Sequence, residues 1–429
     1  MEWYKESGID WIGKIPIEWD IKKIKYVYKL QTGFTPDTSK PEYYDNENGY
    51  TWISIADMND KFIYDSKSKI SELYIKEKHP NIIKKNNLLY SFKLSVGKIG
   101  FNIKDVYTNE AIASFETNND VCLNYLYYAA YLIEFNANTN IYGAKILNQN
   151  LINNALIINP PIQEQKQIAD FLDKKVDKID KILEDLNKQI EILNNYKKSI
   201  ITEAVTKGLD INVEYKNSGI DWIGNIPKKW QIKRLKYLGT SRNGLTYSPE
   251  NIVDEDNGIL VLRSSNIQSG KLDYHDNVYV NCKVPVNLLL KKNDLLICSR
   301  NGSRNLIGKN ALIDNSSIGN TFGAFMCVFR GEYNKYIYYI MNSYLFDNYL
   351  NSFLTSTINQ LTNSNLGNIK VPFTYDIIEQ QKIISYLDDK CSNIDKTIQI
   401  KKNQIDKLEN YKKSLIYEYV TGKKRVKEE

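Results

Sequence analysis

The 429-residue chain is poor in the groups on which most catalysis and metal binding depend. It has only 2 histidines, His79 and His275, each standing alone in a polar, loop-like stretch. Neither sits in a pattern that would make an imidazole base or a ligand cluster, so both read as surface structural residues. Its 5 cysteines, Cys122, Cys282, Cys298, Cys327 and Cys391, are odd in number and contain no CxxC pair. A disulfide framework and a zinc site are thereby excluded from the reading, and reduced packing residues are expected. No run of eighteen apolar residues occurs, and the opening Met1, Glu2, Trp3, Tyr4, Lys5, Glu6 lacks the regions of a signal peptide, so the expected location is the cytoplasm, with no membrane partner. A large charge of one sign is missing too. The formal net charge of +6 permits a nucleic-acid partner without arguing for one.

Catalytic signatures fail one by one. NPPI at Asn159 to Ile162 approaches the motif with which adenine methyltransferases hold a flipped base, but its fourth residue is aliphatic and no glycine-rich cofactor loop accompanies it. GSRNLIGKN, from Gly302, puts five residues between glycines where a phosphate loop has four, and Asn310 stands where Ser or Thr would bind magnesium. Glu164-Gln165-Lys166 has a nuclease-like ExK shape, yet it opens a long helix. No catalytic residue, metal site or cofactor is therefore expected in this chain.

What is present is a repetition. SGIDWIGKIPIEWDIKKIKYV, from Ser7, returns as SGIDWIGNIPKKWQIKRLKYL, from Ser218, with 14 of 21 positions identical. EQKQIADFLDKKVDKID from Glu164 returns as EQQKIISYLDDKCSNID from Glu379, and NYKKS occurs at Asn195 and again at Asn410. The chain is a tandem duplication. Trp19 and Trp230 of the first repeated motif read as anchors of each half's core.

Each half holds a divergent globular region followed by a long helix. From Glu164 to Lys207 there is neither Gly nor Pro, and Leu172, Ile179, Leu186, Leu193 and Ile200 recur every seventh position, a coiled-coil seam. The second helix, from Glu379 to about Thr421, continues the pattern with Leu387, Ile394, Leu408 and Leu415, interrupted at Lys401. Pro160-Pro161 suit the entrance of the first helix, and Gly208 and Gly422 suit the two exits. Its 9 lysines against 9 acids make the first helix no phosphate-binding stripe. An antiparallel pair about 65 Å long is expected to separate the globular regions and to act as a spacer related by a pseudo-two-fold axis.

The globular regions alternate short β-branched and aromatic runs, at Tyr50 to Ile55, Asn87 to Phe92, Gly258 to Leu262, Asp294 to Cys298 and Ala324 to Phe329, with turn residues. Helices are expected at LNYLYYAAYLIEF, from Leu123, and at KYIYYIMNSYLFDNYL, from Lys335. The fold class is α+β. The predicted divisions are 1–159 and 210–374 for the globular regions, and 160–209 and 375–429 for the helices with their basic tail.

Both regions share a phrase, KKNNLLYSF and KKNDLLICS, and the loop after it differs. In the second half that loop concentrates Arg300, Asn301, Arg304 and Asn305; arginine can pair bidentately with guanine and asparagine with adenine. The first half offers Lys93, Ser95 and Lys98 in the matching place. Tyr142 and Lys145, and Thr357, Asn359 and Gln360, complete the candidate DNA-contacting set.

This constellation resembles the specificity subunits of type I restriction-modification systems, over essentially the whole chain. The residues that carry the likeness are EQ..I..(F/Y)LD at Glu164 and Glu379 and W.I..LKY at Trp19 and Trp230; the proline pair before Glu164 is replaced by Thr374-Tyr375-Asp376 before Glu379. The resemblance implies two target recognition domains, each reading half of an interrupted target in double-stranded DNA, spaced by the helices. It implies two modification subunits that methylate adenine with S-adenosylmethionine, and restriction subunits that use ATP and magnesium, those cofactors all lying on the partners. A specificity subunit of a related type II methyltransferase-nuclease, or a coiled-coil adaptor binding protein, stays open on the sequence.

Overall fold

The computed structural model describes residues 3–93, 95–116, 121–139, 145–354 and 359–426. It divides into two compact units, residues 1–185 with 404–429, and residues 186–403. Each unit therefore joins one globular region to parts of both long helices.

In the first unit β1 (Asp20–Lys23), β2 (Leu30–Thr32), β3 (Phe62–Ile63), β4 (Leu88–Ser91), β5 (Ile99–Asn102) and β6 (Ile112–Phe115) precede α1 (Leu123–Ala129), β7 (Leu156–Asn159) and the helix α2 (Ile162–Lys207). Five of these strands form a sheet in the order β2-β6-β4-β5-β3, antiparallel except for β3 on β5. The second unit has β8 (Gln231–Arg234), β9 (Thr240–Asn243), β10 (Leu295–Cys298), β11 (Asn310–Leu312) and β12 (Met326–Arg330). These are followed by α3 (Asn334–Met341), α4 (Tyr344–Phe353), β13 (Lys370–Phe373) and α5 (Ile377–Val420). Its sheet runs β9-β12-β10-β11. The first four strands of one sheet thus match the other in order and direction, and β1 on β7 is matched by β8 on β13. Duplication extends through the regions where sequence identity has vanished.

Both sheets are covered on two faces, so Leu88 to Tyr90 and Leu295 to Cys298 are apolar at successive positions and not alternate ones. In β4, Leu88 and Tyr90 pack with Ile24, Phe115 and Leu126 while Leu89 faces Ile53, Ile63 and Ile112. In β10, Leu295 and Ile297 pack with Phe329, Tyr336 and Ile340 while Leu296 and Cys298 face Leu260, Phe322 and Val328. All five cysteines are free, and all but Cys282 are buried.

The stretch after Lys335, expected as one helix, is two. Asn342 ends α3, its amide donating to the Tyr338 carbonyl, and the Ser343 hydroxyl donates to the Ile340 carbonyl at 2.6 Å. Polar side chains that take the helix's own carbonyls offer the backbone an alternative to the ladder. After Leu123 the α-turns likewise pass at Ala130 into a 3-10 helix.

The long helices begin and end as capping chemistry requires. The Gln165 amide donates to the Pro160 carbonyl, the Gln380 amide to that of Thr374, and Gly208 (φ +73°) and Gly422 (φ +71°) supply the left-handed exits. Within the first unit the opening of α2 runs antiparallel to the end of α5: Phe171 packs on Tyr419, and Lys412 pairs with Asp180. Within the second unit the end of α2 meets the opening of α5 in the same sense, through Lys197 to Asp395 at 2.6 Å and Lys401 to Gln189. Leu172 (0%), Ile179, Leu186, Ile200, Leu387 (0%), Ile394 and Leu415 are buried, and Leu193 and Leu408 half-buried.

Candidate nucleic-acid interface

Trp19 and Trp230 are fully buried, and each fixes a helix entrance. Trp19 Nε1 donates to Glu164 at 3.1 Å and Trp230 Nε1 to Glu379 at 3.0 Å. Glu164 also receives Arg425 at 2.9 Å, so the carboxylate of the ExK triplet is occupied by structure. The GSRNLIGKN segment is no phosphate cradle: Arg304–Leu306 is a 3-10 turn, and the buried Asn310 amide donates to the Gly308 and Met341 carbonyls. Among the described residues no group of His, Cys, Asp and Glu could hold a metal ion. His79 caps a short helix and His275 pairs with Asp273 at the surface.

The polar loops sit where the sheets end. In the second unit, Ser299 and Arg300 leave β10 and both donate backbone N–H groups to the Phe325 carbonyl at 3.0 Å. Arg300 forms an antiparallel bridge with Gln360, and the Asn359 amide donates to the Gly302 carbonyl at 3.4 Å. Two loops remote in sequence thereby become one surface holding Arg300, Asn301, Arg304, Asn305, Asn359 and Gln360. Asn301 Oδ1 accepts from the Ser303 N–H at 2.9 Å, Arg304 donates to Asn351 at 3.5 Å, and Asn305 is exposed. Neither arginine has a carboxylate partner among the described residues, so both carry free charge towards solvent. Thr357 lies outside the described residues.

Sequence reasoning missed Phe325. It is 60% exposed at the tip of the turn before β12, with the Arg300 guanidinium 5.4 Å from its ring centre. It fell within the run from Ala324 to Phe329 read as a strand; the strand begins only at Met326, and its register brings Phe325 to Arg300.

In the first unit Lys93 and Ser95 are exposed after β4. Lys98 is engaged inward, donating to the Ile55 carbonyl at 3.1 Å and to Asn59 at 3.0 Å. Lys145 pairs with Glu134 at 2.8 Å, and that carboxylate lies against Gly97, where an added Cβ would be 2.2 Å from its oxygen. Glu134, a residue the sequence did not single out, thus joins the β4–β5 turn to the Lys145 strand. Tyr142 lies outside the described residues.

The family model for the type I restriction modification DNA specificity domain matches residues 16–192 and 227–410, once in each half. The MjaVIII type I restriction enzyme specificity subunit of Methanocaldococcus jannaschii is 27% identical over the whole chain and 98% of its own length. The EcoKI specificity subunit of Escherichia coli is 29% identical over 41% of this chain and 39% of its own. A solved chain of a type I restriction-modification system, from work on its complex assembly and conformational transition, aligns with a TM-score of 0.68 over 95% of this chain and 98% of its own, at 13% identity, and so shares the fold. The MjaVIII and EcoKI relatives are both specificity subunits of type I restriction enzymes. With the same domain model fitted twice and the duplication visible strand by strand, the chain belongs to the type I restriction-modification DNA specificity family.

Proposed function

We propose that this chain binds a bipartite, interrupted target in double-stranded DNA, one globular region reading each half, and that it directs adenine methylation and restriction by partner subunits. Residues 1–159 and 210–374 serve as the two readers, and 160–209 and 375–429 as the helices that join them. The observation that carries this reading is the pairing of equal scaffolds with unequal surfaces. Both sheets share a strand order, yet the loop after β4 presents Lys93 and Ser95 where the loop after β10 presents Arg300, Asn301, Arg304 and Asn305. Divergent base readers on a common frame are what two dissimilar half-sites demand.

The set Lys93, Ser95, Lys98, Tyr142, Lys145, Arg300, Asn301, Arg304, Asn305, Thr357, Asn359 and Gln360 supplies the DNA contacts in this reading. The seam from Leu172 to Ile200 and from Leu387 to Leu415 keeps the helices paired. Two modification subunits would bring S-adenosylmethionine, and restriction subunits ATP and magnesium.

Methylation-sensitive long-read sequencing of DNA from cells with and without the intact gene tests the proposal. A methylated motif with two separated parts should vanish when the gene is disrupted. An unchanged methylation pattern would sink the reading.

A further inference from the structure

Strand register places two residue pairs at one topological position. In the second unit Met326 lies opposite Cys298, so Phe325 and Ser299-Arg300 are the first residues beyond the paired strands, joined by the two N–H bonds to the Phe325 carbonyl. In the first unit Ile112 lies opposite Ser91, so Ala111 and Phe92-Lys93 hold the same places, with the Phe92 N–H donating to the Ala111 carbonyl at 2.9 Å. Arg300 over Phe325 in one unit therefore corresponds to Lys93 beside Ala111 in the other.

The chemistry of the two pairs differs. The Arg300 backbone is held on both sides, by Phe325 and by the bridge to Gln360, and its guanidinium lies over an exposed ring. No carboxylate among the described residues claims its N–H groups. A planar fork lying over an aromatic face keeps donors free for a ligand and loses less side-chain freedom on binding. A guanidinium held in this way suits the two acceptors, O6 and N7, of guanine in the major groove. Lys93 is a flexible point charge, and the ring nearest it, Phe92, is buried in the core. It suits a phosphate, a contact that carries no base preference.

We infer that Arg300, positioned by Phe325, reads a guanine in the half-site bound by the second globular region, and that Lys93 at the equivalent place contributes affinity without base choice. This rests on the DNA-reading function proposed above. Phe325 is a positioning residue: its ring lies beneath the guanidinium, 5.4 Å from centroid to guanidinium carbon, and restricts where that side chain can go.

The test compares methylation motifs in cells carrying the full chain and its partner subunits, with the variants Arg300→Lys, Arg300→Ala, Phe325→Ala, Phe325→Tyr and Lys93→Ala. Arg300→Lys keeps the charge and removes the fork. It should relax preference at one G·C pair of one half-site by about tenfold or more, leaving the other half-site intact. Phe325→Ala should relax the same pair, and Phe325→Tyr should restore it. Lys93→Ala should lower methylation evenly at all sites with no change of motif. An Arg300→Lys motif identical to the wild type at every position overturns the assignment, as does a loss of preference in Phe325→Ala at a different position from that in Arg300→Lys. Should Arg300→Ala abolish methylation altogether, the Arg300→Lys motif decides. A wild type that marks no bipartite motif would instead count against the functional reading, so the two failures are distinct.

Discussion

At the scale of single residues, Trp19 and Trp230 each lie against the glycine that ends a long helix, but the two glycines have unequal room. A Cβ on Gly422 would lie 2.4 Å from Pro16 Cδ and 2.8 Å from the Trp19 ring, whereas on Gly208 it would lie 3.4 Å from Trp230 and Glu379. Both have positive φ, so alanine at either costs about 1–2 kcal/mol of backbone strain. Gly422→Ala should cost about 1–3 kcal/mol more, because Pro16 and Trp19 are buried and ring atoms cannot swing aside. Urea unfolding of the two full-length variants measures the difference, and equal midpoints would refute the packing argument. The role of Trp19 and Trp230 as core anchors was legible because both recur in identical surroundings. Their indole bonds to Glu164 and Glu379 were not, since nothing in the sequence links a residue to one about 145 positions away except the repetition of both members.

At the scale of elements, the long helices were the most legible feature, because a seven-residue apolar recurrence without Gly or Pro over more than forty residues leaves few alternatives. Their bounds shifted by only two residues, to Ile162 and Ile377, since Pro161 and Asp376 occupy the turns that open them. The seam makes a graded prediction. Leu172 is fully buried among Ile15, Trp19, Val176 and Leu415, so Leu172→Ala should cost about 2–5 kcal/mol. Ile182, on the same helix, is 47% exposed, and Ile182→Ala should stay within about 0.5 kcal/mol. Chemical denaturation of both variants distinguishes them; a comparable loss at Ile182 would show that this side chain is packed within the folded chain and would refute the graded seam. The polar site was legible only in part. Arg300 and Gln360 drew notice by residue type, but their meeting depends on the bridge between segments sixty residues apart, and Phe325 joins them only through strand register. The helix break at Asn342 and Ser343 stayed hidden for a related reason, because side-chain competition for α3 carbonyls is decided by packing against Asn310.

For the whole molecule, the 32 tyrosines that set this composition apart turn out to be divided between the two cores and the surface. Tyr28, Tyr90, Tyr125 and Tyr131 in the first unit, with Tyr336 and Tyr338 in the second, have phenols pushed well above their ordinary range by burial. Burial does the same to Tyr128 and Tyr339, reinforced by their hydrogen bonds to Asp173 and Asp388, one matched pair from each half. In the unfolded chain all of them ionise near pH 10. A group whose folded pKa lies above its unfolded value contributes stability that is fully present below the unfolded pKa. Above it the unfolded chain sheds protons that the folded chain retains, and stability falls as pH rises. The protein should therefore hold its helical circular dichroism up to about pH 10. Beyond that, the buried phenols should ionise in one steep step that coincides with loss of helix in both units, since both contain the same kind of locked ring. Phenolate absorbance and circular dichroism recorded on one alkaline titration read the two events together. A smooth single ionisation near pH 10 with the helices intact would mean that these rings are reached by solvent and that the tyrosines do not hold the cores.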